Sequence, residues 1–318
     1  MEPASFFAAS RLVIVAGKGG VGKTVVSAAL ARAAAAHGVR TLLVEVTGTA
    51  AVHRYFGADP LAYAPELLVP ADPATGCAAI HGRAITPDEA LVDYLEDHGM
   101  RRVARRLARS GTLEVIATAT PGIKDILVLG KVKQLVVAAE ADLIVVDAPA
   151  AGHAVGLLRA APTLVDTARS GPIQHQASQV LSLLRDPHRC QVMLVAIPEE
   201  TPVNELIETA YALEDDVGVR LAPVVVNGVY PEIADLDGEP DSDDVAHRAA
   251  LADAAEHRLA REHMQRHHVE RLRRELPLEQ LALPFLFRGD DGPADSEVLA
   301  KHVVAAIRSL PDHTQAHG

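Results

Sequence analysis

A glycine loop set between an apolar run and an alanine-rich one restricts this chain more than any other stretch of it. Residues 11–16 read Arg-Leu-Val-Ile-Val-Ala, a short β-branched strand former that Gly17 closes. From Lys23 to Ala36 the composition turns to Ala with Leu and Val, which favours helix. Between them lies Gly17-Lys18-Gly19-Gly20-Val21-Gly22-Lys23-Thr24, with the spacing G-x-x-x-x-G-K-[ST]. Four more nearly continuous apolar runs follow, at Thr41 to Val46, Asp142 to Asp147, Gln191 to Ile197 and Ala222 to Asn227. Runs apolar at almost every position are buried on both faces, so they predict an α/β fold with a mostly parallel sheet flanked by helices.

A loop of this kind, leaving a strand and opening a helix, is suited to phosphate and gives the fold its P-loop NTPase character. Its glycines let successive backbone N–H groups turn towards a β-phosphate, and the helix start adds its positive end. Lys23 spans the β- and γ-phosphates, and the Thr24 hydroxyl faces magnesium. The cofactors expected are therefore ATP and Mg2+, with Gly17, Lys18, Gly19, Gly20, Val21, Gly22, Lys23, Thr24 and Val25 forming the cradle. Asp147 ends the run Leu143-Ile144-Val145-Val146, where its carboxylate can hold a magnesium-bound water or simply cap the next helix. Thr24 and Asp147 are thus the metal candidates. Lys18 adds nothing to the fold; it is either a solvated loop charge or a cation that stabilises negative charge developing between the phosphates.

Composition narrows the partners. The 318 residues carry a formal charge of -12, lack Trp and contain only 3% aromatic residues, which opposes a nucleic-acid surface or a base-stacking platform. Two distant cysteines, Cys77 and Cys190, make neither a disulfide framework nor a cysteine zinc site, and they exclude a cysteine-ligated cluster. With no secretory signal or membrane-length apolar run, a cytoplasmic location is expected. Residues 1–318 read as one domain, with 65–139 a mainly helical insertion and 310–318 a flexible tail. In the insertion, Thr86-Pro87-Asp88-Glu89 starts a helix running towards Leu107. Further helices are expected from Thr201, from Val245 to Glu275, and from Asp295 to Leu310, the last packing on the sheet.

Lys18-Gly19-Gly20-Val21-Gly22-Lys23-Thr24 resembles the deviant Walker A motif of ATPases such as MinD, ParA and ArsA, whose extra lysine acts across a dimer. Asp147-Ala148-Pro149-Ala150-Ala151-Gly152-His153 is similar to the second switch of the ArsA branch, which includes the ATPase that targets tail-anchored proteins. Pro121-Gly122-Ile123 resembles that branch's helical-region motif. Val224-Val225-Val226-Asn227 resembles the strand whose terminal Asn reads the adenine edge, and Leu283-Pro284 to Phe287 the proline loop packed on the base. The resemblance implies a Mg-ATP hydrolase forming a homodimer or a heterodimer with a paralogous ATPase, which captures and releases a protein client or serves a membrane partner. Alternatives are an ATPase subunit driving a membrane anion pump, or a nucleotide-dependent interaction module with little hydrolysis. One departure bears on the rate. Aligning Phe56-Gly57 puts Thr47 where the family has the Asp that positions the attacking water. Glu45, two residues earlier on the same strand face, either reaches forward in its place or is a buried structural carboxylate.

Overall fold

The computed structural model describes residues 1–46, 51–104, 122–149, 151–168, 170–234, 236, 238, 244–287 and 292–312, with the side chains of 151–153 left aside. Eight strands form one sheet in the order β3-β4-β2-β5-β1-β6-β7-β8. These are β1 (Leu12–Gly17), β2 (Thr41–Val46), β3 (Glu66–Val69), β4 (Ile80–Ile85), β5 (Leu143–Asp147), β6 (Cys190–Ala196), β7 (Val224–Val229) and β8 (Gln280–Pro284). Every neighbouring pair is parallel except β3 with β4. Strand β1 lies between β5 and β6, so its carboxyl end delivers the glycine loop to the middle of the sheet edge.

One face of the sheet carries α1 (Pro3–Ala8), α2 (Lys23–Ala35) and the closing helix α9 (Pro293–Ser309). Helix α2 buries Ala28, Ala29, Ala31, Ala33, Ala34 and Ala35, and side chains no larger than methyl let it lie close against the strands. Leu299, Val303 and Ile307 of α9 pack on it, as the amphipathic pattern predicts. The other face carries α3 (Pro87–Asp97), α4 (Ile123–Ala138), α5 (Ala151–Thr167), α6 (Pro172–Arg185) and α7 (Glu200–Asp216) over a second apolar core. The polar helix α8 (Val245–Glu275) buries only Gln265, His268 and Leu272.

Three features differ from the expected pattern. The stretch 65–139 opens with two strands of the main sheet, β3 and β4, before its helices begin. Its strand Ile80-His81-Gly82-Arg83-Ala84-Ile85 alternates and has no long β-branched run, which hid it. The helix from Thr86 stops at Asp97, because Gly99 takes a left-handed φ of 76° that ends it well before Leu107. The helix expected to cap at Thr201 begins at Glu200, with Glu199 at the cap and no side-chain cap bond. Of the remaining expectations, Thr47, Pro121 and most of the tail lie outside the described residues.

Candidate nucleotide site

Gly17 extends β1 so tightly against β6 that a Cβ there would sit 2.3 Å from the carbonyl oxygen of Val195. Gly20 and Gly22 follow with φ of 86° and 87°, in the left-handed region where a side chain is strained. Gly22 is the N-cap of α2, so the free backbone N–H groups of the helix start and its positive end face the loop. At that end Lys23 donates from Nζ to the carbonyl of Lys18 at 2.9 Å. Burial lowers the basicity of this ammonium, and the charge of Asp147 partly restores it. A half-buried cation satisfied by one neutral carbonyl is poised to take an anionic ligand.

The two metal candidates meet beside it. Thr24 Oγ1 donates to Asp147 Oδ2 at 2.9 Å, and Ser27 Oγ, one helical turn on, donates to Oδ1 at 3.1 Å. Burial pushes the Asp147 carboxyl up to about 6, against the opposing pull of these hydroxyls and of Lys23, and Glu45 adds to the rise. Hydroxyl and carboxylate oxygens are the hard donors magnesium prefers, with the remaining positions left to water and phosphate. The donor set therefore fits Mg2+ beside a nucleotide. Among the described residues there is no cluster of three or more His, Cys, Asp or Glu that would hold a metal by itself.

Glu45 pairs in register with Asp147 across β2 and β5, so both carboxylates point to the α2 side. It is buried, and its Oε2 accepts the backbone N–H of Val52 at 3.2 Å. That bond ties Val52 to strand β2. Thr47 itself lies outside the described residues.

Pro284 ends β8, whereas Asn227, expected at the end of its strand, lies within β7, which runs on to Val229 past a break in its pairing. Between them the β7–β8 register shifts, with Gly228 at φ 75°. Asn227 Nδ2 donates to the carbonyl of Val21 at 2.9 Å, while its Oδ1 accepts no hydrogen bond from the described residues. A Cβ on Gly22 would lie 2.3 Å from that same Nδ2. Just beyond, Tyr230, Phe285 and Phe287 form an aromatic cluster, with ring centroids 4.9–5.6 Å apart and Arg258 stacked on two of the rings.

Lys18 is engaged as well. Its Nζ lies 2.6 Å from Glu205 Oε1 on α7. Glu205 is not among the residues singled out from the sequence; its place one turn into the helix after β6 is the signal that points to it. Ser27 was also missed, although a hydroxyl three residues after Thr24 falls on the same helix face.

Comparison with known proteins bears on this assembly. The family model described as anion-transporting ATPase, of ArsA type, matches residues 10–175, more than half the chain and both halves of the Thr24–Asp147 contact. The chain belongs to this ArsA-type ATPase family. It is 34% identical to ATPase BagA of Mycobacterium tuberculosis over 258 residues, covering 77% of this chain and 74% of that one. It is 26% identical over 239 residues to an arsenical pump-driving ATPase of Acidiphilium multivorum, 68% of this chain but 39% of the relative. A putative arsenical pump-driving ATPase of Halobacterium salinarum is 25% identical over 240 residues, with 70% and 36% covered. Among the described residues, no helix of this ArsA-type ATPase is long and apolar enough to cross a membrane.

Proposed function

We propose that this chain is a Mg-ATP-dependent hydrolase that works as a two-chain switch, closing on nucleotide and opening after hydrolysis to capture and release a partner. The observation that carries the reading is the convergence of Lys23, Thr24 and Asp147 under a glycine loop at the carboxyl edge of the sheet. Lys23 and the loop N–H groups would hold the phosphates, and Thr24 and Asp147 the magnesium. When bound, the metal neutralises phosphate charge. Asn227, whose carbonyl oxygen accepts nothing from the described residues, suits the amino edge of adenine, and Pro284 its face.

Lys18 supports the two-chain part of the reading. It belongs to the loop yet is bound to Glu205, while Lys23 already serves the phosphate position within the chain. The pump-driving relatives leave more than half their length unmatched by this chain. One observation favours a slow enzyme as the second reading. Glu45 is occupied with the Val52 N–H, and Thr47 offers no carboxylate where the family has its water-positioning Asp.

Complementation tests the proposal. Lys23→Ala removes ATP binding and Lys18→Ala leaves it intact, with low turnover for each. A mixture of the two variants regains hydrolysis, because each chain supplies what the other lacks. A Lys18→Ala protein that hydrolyses at the wild-type rate, or a mixture that recovers nothing, overturns the two-chain site. Single-turnover hydrolysis by Glu45→Gln and Thr47→Asp separates the rate readings. If Glu45 activates water, its loss costs about 10²- to 10⁴-fold; if it is an anchor, Thr47→Asp is the change that raises the rate.

A further inference from the structure

At the amino edge of the sheet, a strand's length of roughly 15 Å from the glycine loop, helices α4 and α6 leave a groove between them. The groove holds a volume of about 640 Å³, within the range that takes small organic ligands. His175, Ser178, Gln179 and Ser182 recur at i, i+3, i+4 and i+7, so α6 turns one polar face to it. Lys133 faces them from α4, and Arg189, the residue before β6, closes one end.

The charge of this groove is opposite to that of the chain. No carboxylate lines it, although the protein carries a net charge of -12. Two acids lie near its rim: Asp97 accepts from Nε2 of the lining residue Gln134 at 2.6 Å, and Asp186 accepts the backbone N–H of His188 at 3.0 Å. Lys133 Nζ instead donates to two neutral amides, Gln179 Oε1 at 2.5 Å and Gln176 Oε1 at 3.4 Å. The Gln179 amide nitrogen lies 2.8 Å from His175 Nε2, which extends the chain of polar contacts across the groove. The Arg189 guanidinium has no hydrogen bond or ion pair among the described residues. Burial lowers the basicity of Lys133, and the charge of Asp97 restores it only in part. Val137 adds an apolar wall that is 67% exposed.

We propose that this groove binds a small organic oxyanion, its head taken by Lys133, Arg189 and the Ser178 and Ser182 hydroxyls and its body laid against Val137. The cations are partly desolvated and fixed by neutral amides, so an oxyanion gains charge-assisted hydrogen bonds without displacing an acid. Phosphate and carboxylate heads share this chemistry.

Calorimetric titration with phenyl phosphate, benzoate and inorganic phosphate tests the site, using the full-length protein saturated with Mg-ATP. At least one of the two organic probes binds saturably, with a Kd of about 1 mM or tighter, and inorganic phosphate binds more weakly because it has no body for Val137. The tighter organic probe identifies the head. Mg-ATP keeps the glycine loop filled, so anion binding there does not contribute. Lys133→Gln and Arg189→Gln each weaken binding by about tenfold or more, with the thermal melt of each variant confirming its fold. Absence of saturable binding, or indifference to both groove variants, overturns the proposal.

Discussion

If Lys18 serves a partner chain, Glu205 competes for it, and Glu205→Gln should shift the balance. The substitution keeps the shape of the side chain and an oxygen that accepts a hydrogen bond, but removes the charge. Lys18 and Glu205 are 37% and 38% exposed, so the 2.6 Å pair is partly solvated and falls in the surface class, worth about 0.2–1 kcal/mol. Releasing Lys18 therefore raises its availability by about 1.4- to 5-fold. The assay is ATP turnover against protein concentration. The variant should reach half-maximal turnover at a concentration lower by that factor, with ATP affinity of the isolated chain unchanged. Raising ionic strength should move the wild type the same way and the variant little, since salt screens an exposed pair. Lys18→Ala combined with Glu205→Gln should behave as Lys18→Ala alone. A fall in maximal turnover of tenfold or more in Glu205→Gln, with ATP still bound, refutes the reasoning and makes Glu205 part of the reacting state.

Three further outcomes follow from local geometry. The folded Asp147 carboxyl, at about 6, lies above its ordinary value of 3.8, so its contribution to stability is full below the ordinary value and is lost as pH rises through about 6. Asp147→Asn should then melt higher than the wild type near pH 7.5 without magnesium, by the equivalent of roughly 1–3 kcal/mol, while losing magnesium-dependent nucleotide binding; a gap that persists unchanged at about pH 4 contradicts this. Gly22→Ala combines a left-handed φ of 87° with a Cβ 2.3 Å from Asn227 Nδ2, and should weaken ATP binding by about tenfold or more. Asn227→Ala added to it should restore only part, and full recovery argues against backbone strain. Thr86→Ala removes a capping box in which Glu89 N donates to Thr86 Oγ1 at 3.2 Å and Thr86 donates to Glu89 Oε2 at 2.7 Å, and should cost about 1 kcal/mol in thermal unfolding. An unchanged melt shows that α3 is held by packing alone.

The central strands and the glycine loop were legible because their signals are local: continuous apolar runs, and eight residues of fixed spacing. The same locality brought Thr24 and Asp147 into one reading, since one opens a helix and the other ends a strand, both at the same edge. Strands β3, β4 and β8 escaped because they are short and mixed, and their membership depends on neighbours far away in the chain. The end of α3 at Asp97 turns on Gly99, a single residue whose left-handed φ the surrounding composition does not announce. The Lys18–Glu205 pair joins positions 187 residues apart, so no window of sequence contains it. Nothing in the run Val224-Val225-Val226-Asn227 announces that the Asn amide is spent on Val21.

That last contact makes the two ends of the ligand hard to treat as separate. If adenine lies against Asn227, the side chain that senses the base also holds the backbone of the loop that grips the phosphates. A misfitting base then loosens the grip on the phosphates at the far end of the same molecule. Discrimination between purines in such a site is felt in the speed of the reaction as well as in the tightness of binding, and a nucleotide can be held yet processed badly.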